Sequence, residues 1–441
     1  MDDVLRLDRI AGCMLICSAA LAQTIPQDEA STAFALARQI SDRDAGKTWG
    51  MLVCGPMLFA DSVTRDVVAN RADSKGLLQP AGDVWRGNLP KSMHVANTAI
   101  EFAGVRWTMV AWPLPGDTRA RAKLLAYECY HRIQPALKLP ANDVMNTHLD
   151  TRPGRIWMLL EWRALERALA ERGQPRKRAV ADALRFRGYR RSLVHGVAST
   201  ENALEMNEGL AEYTGVRLAN TDEADRRAAA ISELRNAAPK SSFVRSFAYA
   251  SGPAYGVLLD ESGKTWRKTL SPESDFGSLL ANAYHIAADC LDESSALASA
   301  HAYDGDAVIA AETRRASRME KDVADMRRRF VDGPVLVLPA AGNINFGFDP
   351  NGVVALNESS VIYRPLHASD RWGLLEATAA MIVRENGSIR RVVVPAPTNT
   401  VGDKLSGEGW KLQLEPGFKI APGPRAGDFV VQKDSTTPAA K

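Results

Sequence analysis

The sequence predicts an α+β protein with more than one domain. A chain of 441 residues is longer than a single hydrophobic core supports, so at least two cores are expected. Helical spacing of apolar residues dominates the middle of the chain, whereas short Val- and Ile-rich runs punctuated by Gly and Pro dominate after Asp332-Gly333. We therefore expect a mainly helical domain at 48–330 that opens with a small antiparallel sheet, followed by a C-terminal β-sandwich-like domain at 334–433.

The N-terminus has the pattern of a signal peptide at 1–22. Ile10 to Leu21 is a short apolar run that ends in Ala20-Leu21-Ala22, a small-x-small pattern typical of cleavage before Gln23. The run is preceded by acidic as well as basic residues, which is atypical of such signals. The sequence thus predicts an exported protein, periplasmic or extracellular, with a lead helix at 23–47.

The remaining composition limits the partners. A net charge of +3 gives little attraction for nucleic acid, so none is expected as a partner. After the signal no apolar run approaches the roughly 20 residues that a transmembrane helix needs. Only Cys54, Cys129 and Cys290 would remain after cleavage, which predicts one disulfide or none.

A helix of about 17 residues is predicted between two clear signals. Asp117 can cap its first turn, and Pro135 stops it after Gln134. Strands at about 49–59, 62–70 and 93–111 precede it and form the small sheet. We call the segment at 118–134 the motif helix because of the residues near its end.

Further helices are predicted along the rest of this domain. An apolar helix covers about 155–172, and a basic helix at about 176–191 is expected to carry its arginines on a solvated face. Another helix runs from about 200 to 220, and a pair at 243–250 and 254–260 is separated by a break at Ser251-Gly252-Pro253.

In the C-terminal domain, Glu385-Asn386-Gly387-Ser388 is a strong signal for a two-residue hairpin. Other strand-like runs surround it, and the polar residues 434–441 are expected to form a disordered tail.

The motif helix carries Ala126-Tyr127-Glu128-Cys129-Tyr130-His131, which is H-E-x-x-H with its first histidine replaced by tyrosine. Residues four apart share a helix face, so the intact motif offers two imidazoles to one zinc ion and a glutamate to activate its water. A second segment, Met206-Asn207-Glu208-Gly209-Leu210-Ala211-Glu212-Tyr213, lies on the later helix at 200–220.

Together these two segments resemble the gluzincin metallopeptidases, the thermolysin-like and aminopeptidase N-like enzymes. The resemblance covers about 48–290 as a pattern of elements and is specific only at the two motifs. It implies a zinc ion, with His131 and Glu208 as ligands and Glu128 as the catalytic glutamate. It also implies that Glu212 orients a ligand from outside the metal shell and that Tyr127 stands at the position of the first histidine.

The tyrosine leaves two alternatives open. Tyr127 could bind zinc as a phenolate, which costs affinity because a phenol has a pKa near 10. Alternatively the zinc has been lost, and the Tyr127 hydroxyl donates a hydrogen bond to Glu208 or Glu212.

Gluzincins often use a phenol to stabilise the oxyanion, and two tyrosines lie in the region where it is expected. Tyr249 and Tyr255 are both candidates, with Tyr255 preferred because it follows the predicted break. Packing in the core is the alternative for each.

The predicted function is that of an exported, metallopeptidase-like protein with a degenerate zinc site, weakly active or inactive, that acts on or binds a peptide or protein. The alternative is a secreted, non-enzymatic binding protein that recognises its partner through the C-terminal β domain. A serine hydrolase is not indicated, because no Gly-x-Ser-x-Gly occurs in the chain.

Overall fold

The computed structural model describes residues 25–90, 93–139, 141–142, 144–287, 292–340, 344–348, 353–357, 359–386 and 388–434. The predicted signal peptide and all but the first residue of the predicted tail lie outside these residues. The chain divides into two compact units, Met1–Asp306 and Ala307–Lys441. Helices and sheets segregate along the chain, and the predicted α+β class is confirmed.

The N-terminal unit opens with a helix and a sheet. In chain order these elements are α1 (Gln27–Asp44), β1 (Met57–Asp61), β2 (Asp66–Ala69), β3 (Gln79–Ala81), β4 (Val84–Asn88), β5 (Thr98–Phe102) and β6 (Val105–Trp112). They form a six-stranded sheet in the order β3-β4-β2-β1-β6-β5. One neighbouring pair, β1 and β6, is parallel, so the sheet is mixed rather than wholly antiparallel as predicted. The parallel pair is possible because the long connection through β2 to β5 returns the chain to the end of the sheet at which β1 begins, on the side of β1 opposite β2.

The rest of this unit is helical. Its helices are α2 (Thr118–Ile133), α3 (Arg152–Ala170), α4 (Gly173–Ser192), α5 (Val197–Leu204), α6 (Leu210–Ala219), α7 (Glu223–Ala237), α8 (Ser246–Glu261), α9 (Phe276–Tyr284) and α10 (Glu293–Ala300). A π-helical turn, Glu205–Gly209, joins α5 to α6, so the two form one helical run.

Helix α8 differs from its prediction. The expected break at 251–253 does not occur, and Pro253 lies inside a continuous helix. A glycine is needed at position 252, because a Cβ there would lie 2.4 Å from the Cα of Gly209. The two glycines let α8 approach the helical run closely, and packing outweighs the cost of the proline.

The C-terminal unit is a β-sandwich preceded by a long helix, α11 (Gly305–Arg327), and a π-helical turn, Arg328–Asp332. Its strands are β7 (Val335–Pro339), β8 (Asn345–Phe348), β9 (Val353–Ala355), β10 (Ser360–Tyr363), β11 (Leu366–Asp370), β12 (Gly373–Ala377), β13 (Ala380–Glu385), β14 (Ser388–Pro395), β15 (Pro397–Asn399), β16 (Lys404–Gly407), β17 (Trp410–Leu414), β18 (Phe418–Pro422) and β19 (Phe429–Lys433). They form a seven-stranded and a six-stranded sheet.

The core of the sandwich contains side chains from both sheets, such as Leu338 and Val392 from one and Leu375 and Leu412 from the other. The predicted hairpin is present, since Glu385 pairs with Ser388. Met326 and Phe330, at the end of the long helical segment, pack with strand residues of this unit. That packing places the segment with the sandwich, whereas the sequence placed the boundary after residue 330.

Candidate functional site

The motif helix α2 forms as the sequence predicts. The Asp117 side chain accepts a hydrogen bond from the backbone N–H of Ala120 at 2.7 Å, which caps the first turn. The helix ends at Ile133 and continues as a 3₁₀ turn from Gln134. Cys129, on the side away from the motif face, forms a disulfide with Cys54 across 75 residues, with Cα atoms 5.0 Å apart.

The second motif lies on the helical run α5–α6, with Glu208 inside the π-helical turn and Glu212 in the first turn of α6. A π-turn holds one residue more than an α-turn and is frequent at functional sites. Gly215 lets this run approach α2, because a Cβ at 215 would lie 2.9 Å from the carbonyl oxygen of Lys123. The sequence predicted the helix but not the extra residue that sets the direction of Glu208.

The two motifs converge on the carboxylate of Glu208. The Tyr127 hydroxyl donates a hydrogen bond to Glu208 Oε2. His131 Nε2 lies 3.6 Å from the same oxygen, and a guanidinium nitrogen of Arg245 lies 3.4 Å from Oε1. Groups separated by about eighty positions in the sequence therefore meet at one acid, which we call the phenol–carboxylate site.

Two amides that the sequence did not single out orient His131. The amide nitrogen of Gln134 donates to Asn207 Oδ1 at 3.1 Å, which directs its amide oxygen to His131 Nδ1 at 3.0 Å. Because an amide oxygen only accepts, Nδ1 carries a hydrogen and Nε2 points toward Glu208. Their positions in the sequence could have indicated this role, because Gln134 lies one helical turn after His131 and Asn207 directly precedes Glu208.

The charges at this site are coupled. Burial raises the pKa of Glu208, but the nearby His131 imidazole and the hydrogen bond from Tyr127 outweigh burial and lower it. Burial lowers the pKa of His131, yet the nearby Glu208 carboxylate and the hydrogen bond to Gln134 raise it overall. Burial, and then the neighbouring charge of Glu208, raises the pKa of Tyr127. The phenol thus keeps its proton as a hydrogen-bond donor to an ionised carboxylate.

Glu128 is in a different state from Glu208. Its side chain is almost fully buried, and its Oε2 has no hydrogen-bond partner. Burial raises its pKa to about 8, with His131 opposing the shift and the carboxylates of Glu208 and Glu212 adding to it. Glu128 therefore holds its proton at neutral pH and can donate a hydrogen bond.

Glu212 has a cationic partner of its own. Lys123 Nζ lies 2.5 Å from Glu212 and 2.6 Å from Glu233. Burial raises the pKa of Glu212, and Lys123 opposes the shift. Lys123 and Tyr127 are one turn apart on α2, as Glu212 and Glu208 are on the helical run α5–α6. Two side-chain contacts, Lys123 with Glu212 and Tyr127 with Glu208, therefore join the two helices.

Only one of the two candidate tyrosines lies at this site. The ring of Tyr249 stacks on that of Tyr127, with centroids 6.1 Å apart and planes 26° apart. Tyr255 instead donates a hydrogen bond to Glu161 at 2.8 Å, and the Arg187 guanidinium lies 5.1 Å from its ring centroid. Tyr255 is therefore part of a separate, buried group of charges.

That group, which we call the arginine network, corrects the prediction for α4. Arg187 and Arg190 are almost fully buried rather than solvated. Their ion pairs include carboxylates from several elements, namely Glu161, Glu201, Glu205 and Asp275. Arg191 contacts Glu201 and Asp275 as well. The clue in the sequence was the matching helical spacing of the arginines on α4 and of Glu201 and Glu205 on the helical run α5–α6.

A catalytic zinc ion needs three protein ligands and a water. Two ligands about 2 Å from a tetrahedral zinc lie about 3.3 Å apart, and the 3.6 Å between His131 and Glu208 is close to that span. The third position holds a protonated phenol whose hydroxyl hydrogen is directed at the carboxylate. Within the described residues, no group of three or more His, Cys, Asp and Glu side chains could hold a metal ion. This donor set does not fit a catalytic zinc ion.

The described part of the chain contains no helix with the length and apolar character needed to cross a membrane. Comparison of the chain with protein-family models, curated proteins and solved structures finds no match.

Proposed function

We propose that the N-terminal unit is a metallopeptidase-like scaffold that binds a peptide or protein and does not hydrolyse it with zinc. One observation carries this proposal: the Tyr127 hydroxyl donates a hydrogen bond to Glu208, the residue that a zinc ion would need as its carboxylate ligand. A phenol is longer than an imidazole, so its oxygen extends into the space where a metal bound to an imidazole at position 127 would lie. The hydrogen bond and the metal are mutually exclusive.

The state of Glu128 supports the same proposal. Hydrolysis by the zinc mechanism requires this glutamate to accept a proton from water. A bound metal ion would lower the pKa of Glu128, but among the residues alone this pKa is about 8, so the side chain holds a proton at neutral pH. It then offers a hydrogen-bond donor where the mechanism needs a base.

Groups at the rim of the site could contact a peptide. Arg245 is 36% exposed at its side chain, and His131 retains 15%. Tyr249 is half-buried beside them. The guanidinium of Arg245 carries several N–H donors at this rim, which suits the carbonyl oxygens and carboxylates of a peptide.

Export is part of the proposal. It rests on the signal-like pattern at 1–22 and on the Cys54–Cys129 disulfide, since disulfides persist in oxidising compartments such as the periplasm and the extracellular space.

The test is a peptide-cleavage assay on the purified protein with added zinc. We expect the wild type to cleave a mixed peptide library no faster than Glu128→Gln. A cleavage rate that exceeds this variant and is abolished by a chelator would overturn the proposal. The wild type should bind peptides of the same library when they are immobilised, and Arg245→Ala should weaken this binding several-fold.

A pocket on the six-stranded sheet of the C-terminal unit favours a second candidate function, the recognition of a partner by the β domain. Its volume is about 470 Å³, and its lining includes His367, Glu376, Lys411 and the buried Trp410. A few polar groups beside an aromatic side chain are typical of binding sites. If this pocket is the binding site, Lys411→Glu abolishes peptide capture and Arg245→Ala leaves it unchanged.

A further inference from the structure

Two short segments of the N-terminal unit have the same sequence. Gly46-Lys47-Thr48-Trp49 follows α1, and Gly263-Lys264-Thr265-Trp266 follows α8. Each begins just beyond the helix end, with its glycine at φ 75° and 73°. This left-handed conformation favours glycine and turns the chain sharply away from the helix.

Both segments pack on one residue, Tyr213 of the second motif. The Trp49 ring lies 6.4 Å from the Tyr213 ring at 89°, and the Trp266 ring lies 5.3 Å from it at 61°. Each indole N–H has its own acceptor at 3.0 Å, Thr214 Oγ1 for Trp49 and Asp260 Oδ1 for Trp266. Fixed aromatic rings thus hold the two repeats side by side.

The repeats line a single pocket of about 590 Å³, in the size range of sites for small molecules. Four cationic side chains line it, namely Lys47, Lys264, Arg267 and Lys268. Leu137, Leu139 and Leu270 supply an apolar wall. The described lining residues include no carboxylate, which makes the pocket electropositive.

The cations are not equivalent. Arg267 forms an ion pair with Asp260, which also pairs with Arg217. The three lysines form no ion pair with any other residue that the structure describes. The C-terminal ends of α1 and α8 each contribute about half a negative charge. Three lysines less these two ends leave a surplus of about two positive charges.

Charge compensation of the helix ends explains only part of this arrangement. Lys47 and Lys264 follow the C-terminal ends of α1 and α8, and their charges would stabilise these helix ends whether or not the side chains faced the pocket. Lys268 follows no α-helix end, since it lies in a 3₁₀ turn after Trp266, yet it faces the same pocket. Convergence of all three lysines on one cavity favours an anionic ligand.

We propose that this pocket binds a small phosphorylated molecule. A phosphomonoester carries about 1.5 to 2 negative charges at pH 7 and three acceptor oxygens, which matches the surplus charge and the ammonium donors. The three leucines would cover an apolar or aromatic group attached to the phosphate. The pocket uses none of the residues of the phenol–carboxylate site, so this proposal does not depend on the peptidase-like function.

Isothermal titration of the full chain with phenyl phosphate tests the proposal. We expect saturable binding in the micromolar to low millimolar range, weakened at least tenfold by Lys47→Gln with Lys264→Gln. Lys75→Gln is a control, because Lys75 is exposed on the loop before β3 and lies outside the pocket. Benzoate, a monoanion of similar size, should bind at least tenfold more weakly.

The absence of binding heat from phenyl phosphate up to 10 mM, on the order of the weakest useful affinity, would overturn the proposal. An equal loss of binding in Lys75→Gln, or equal affinity for benzoate, would also overturn it. The replaced lysines are exposed, so the variants should melt with the wild type, and this is checked by circular dichroism.

Discussion

Glu201 and Glu205 lie on the side of the helical run that contacts the arginines, whereas Glu208 and Glu212 lie on the side that faces α2. In the arginine network each carboxylate meets a guanidinium at hydrogen-bond distance, and its central members, Glu201, Glu205, Arg187 and Arg190, are closed to solvent. Arg191 and Asp275, at the edge of the network, are 12% and 18% exposed. At the phenol–carboxylate site one acid is shared by a phenol, an imidazole and a half-exposed arginine. The first arrangement stabilises the fold, and the second keeps titratable groups near solvent.

This difference distinguishes charged residues that stabilise the fold from charged residues that are available to a ligand. A buried ion pair with well-paired partners is costly to break, and its charges already compensate one another. Glu128 has an unpartnered oxygen and a strongly raised pKa, which are features of functional sites. Tyr255 belongs to the first group and Tyr249 to the second, although six positions separate them in the sequence.

The largest effect is expected from Arg190→Met in the arginine network. This change leaves Glu161 and Glu201 buried without their main partner and should lower the free energy of unfolding by about 3–5 kcal/mol. Urea denaturation measures it. Arg178→Met, an exposed position on the same helix, is the matched control and should change stability by less than about 0.5 kcal/mol. Equal stability of the two variants would show that the network is not structural.

A pH-dependent effect is expected from Glu128→Gln. The folded pKa of about 8 exceeds the ordinary 4.5, so the folded state holds a proton that the unfolded state has released between these values. The wild type should therefore lose up to about 1.4 kcal/mol of stability for each pH unit as the pH rises through this window. Glu128→Gln removes this loss and should be more stable than the wild type near pH 8.

Unfolding free energies at pH 5.5, 7 and 8.5 provide the measurement. Because His131 also loses stabilising protonation as the pH rises, only the difference between wild type and variant reports on Glu128. Glu29→Gln, an exposed carboxyl on α1, should follow the wild type at every pH. A constant difference between wild type and Glu128→Gln would mean that Glu128 is ionised throughout.

The smallest effect is expected from Tyr127→Phe. Loss of the hydrogen bond to Glu208 should cost about 1.5–3 kcal/mol at pH 7. Because the pKa of Glu208 is lower in the folded state, ionised Glu208 stabilises the fold at pH values above the ordinary carboxyl pKa of 4.5. This stabilisation is lost as the pH falls, so the loss of stability caused by Tyr127→Phe should be smaller at pH 4 than at pH 7.

Tyr284→Phe is the control for this prediction. Its hydroxyl donates to the carbonyl of Leu258 at 3.2 Å, which does not titrate, so the cost of its loss should be similar at both pH values. The same behaviour from Tyr127→Phe would mean that its hydroxyl does not stabilise an ionised Glu208.

Much of the fold could be predicted because local signals and tertiary packing agree. Asp117 and Pro135 bounded the motif helix, and the composition change at Asp332-Gly333 indicated the β-sandwich. The arginines of α4 were misassigned because charge alone does not reveal burial, and their partners come from four other segments. Pro253 failed as a helix breaker because the close approach at Gly252 depends on tertiary structure.

At the site, the sequence supplied the residue types and the structure supplied their directions. Tyr127 with Glu208 was one of two alternatives for the phenol, and the hydrogen bond is present. Lys123, which pairs with Glu212, carried no recognisable signal, because its partner lies 89 positions away. The direction of Glu208 depends on a π-helical turn that helix periodicity does not show.

If the phenol–carboxylate hydrogen bond takes the place of a metal ion, an imidazole at position 127 should create a zinc site, and competition with a chromophoric chelator measures its affinity. Tyr127→His supplies the third ligand and should bind one zinc ion per chain at least a hundredfold more tightly than the wild type. Tyr127→Phe, which only removes the hydroxyl, should gain no such site. Tight, stoichiometric zinc binding by the wild type would show that the hydrogen bond does not exclude the metal.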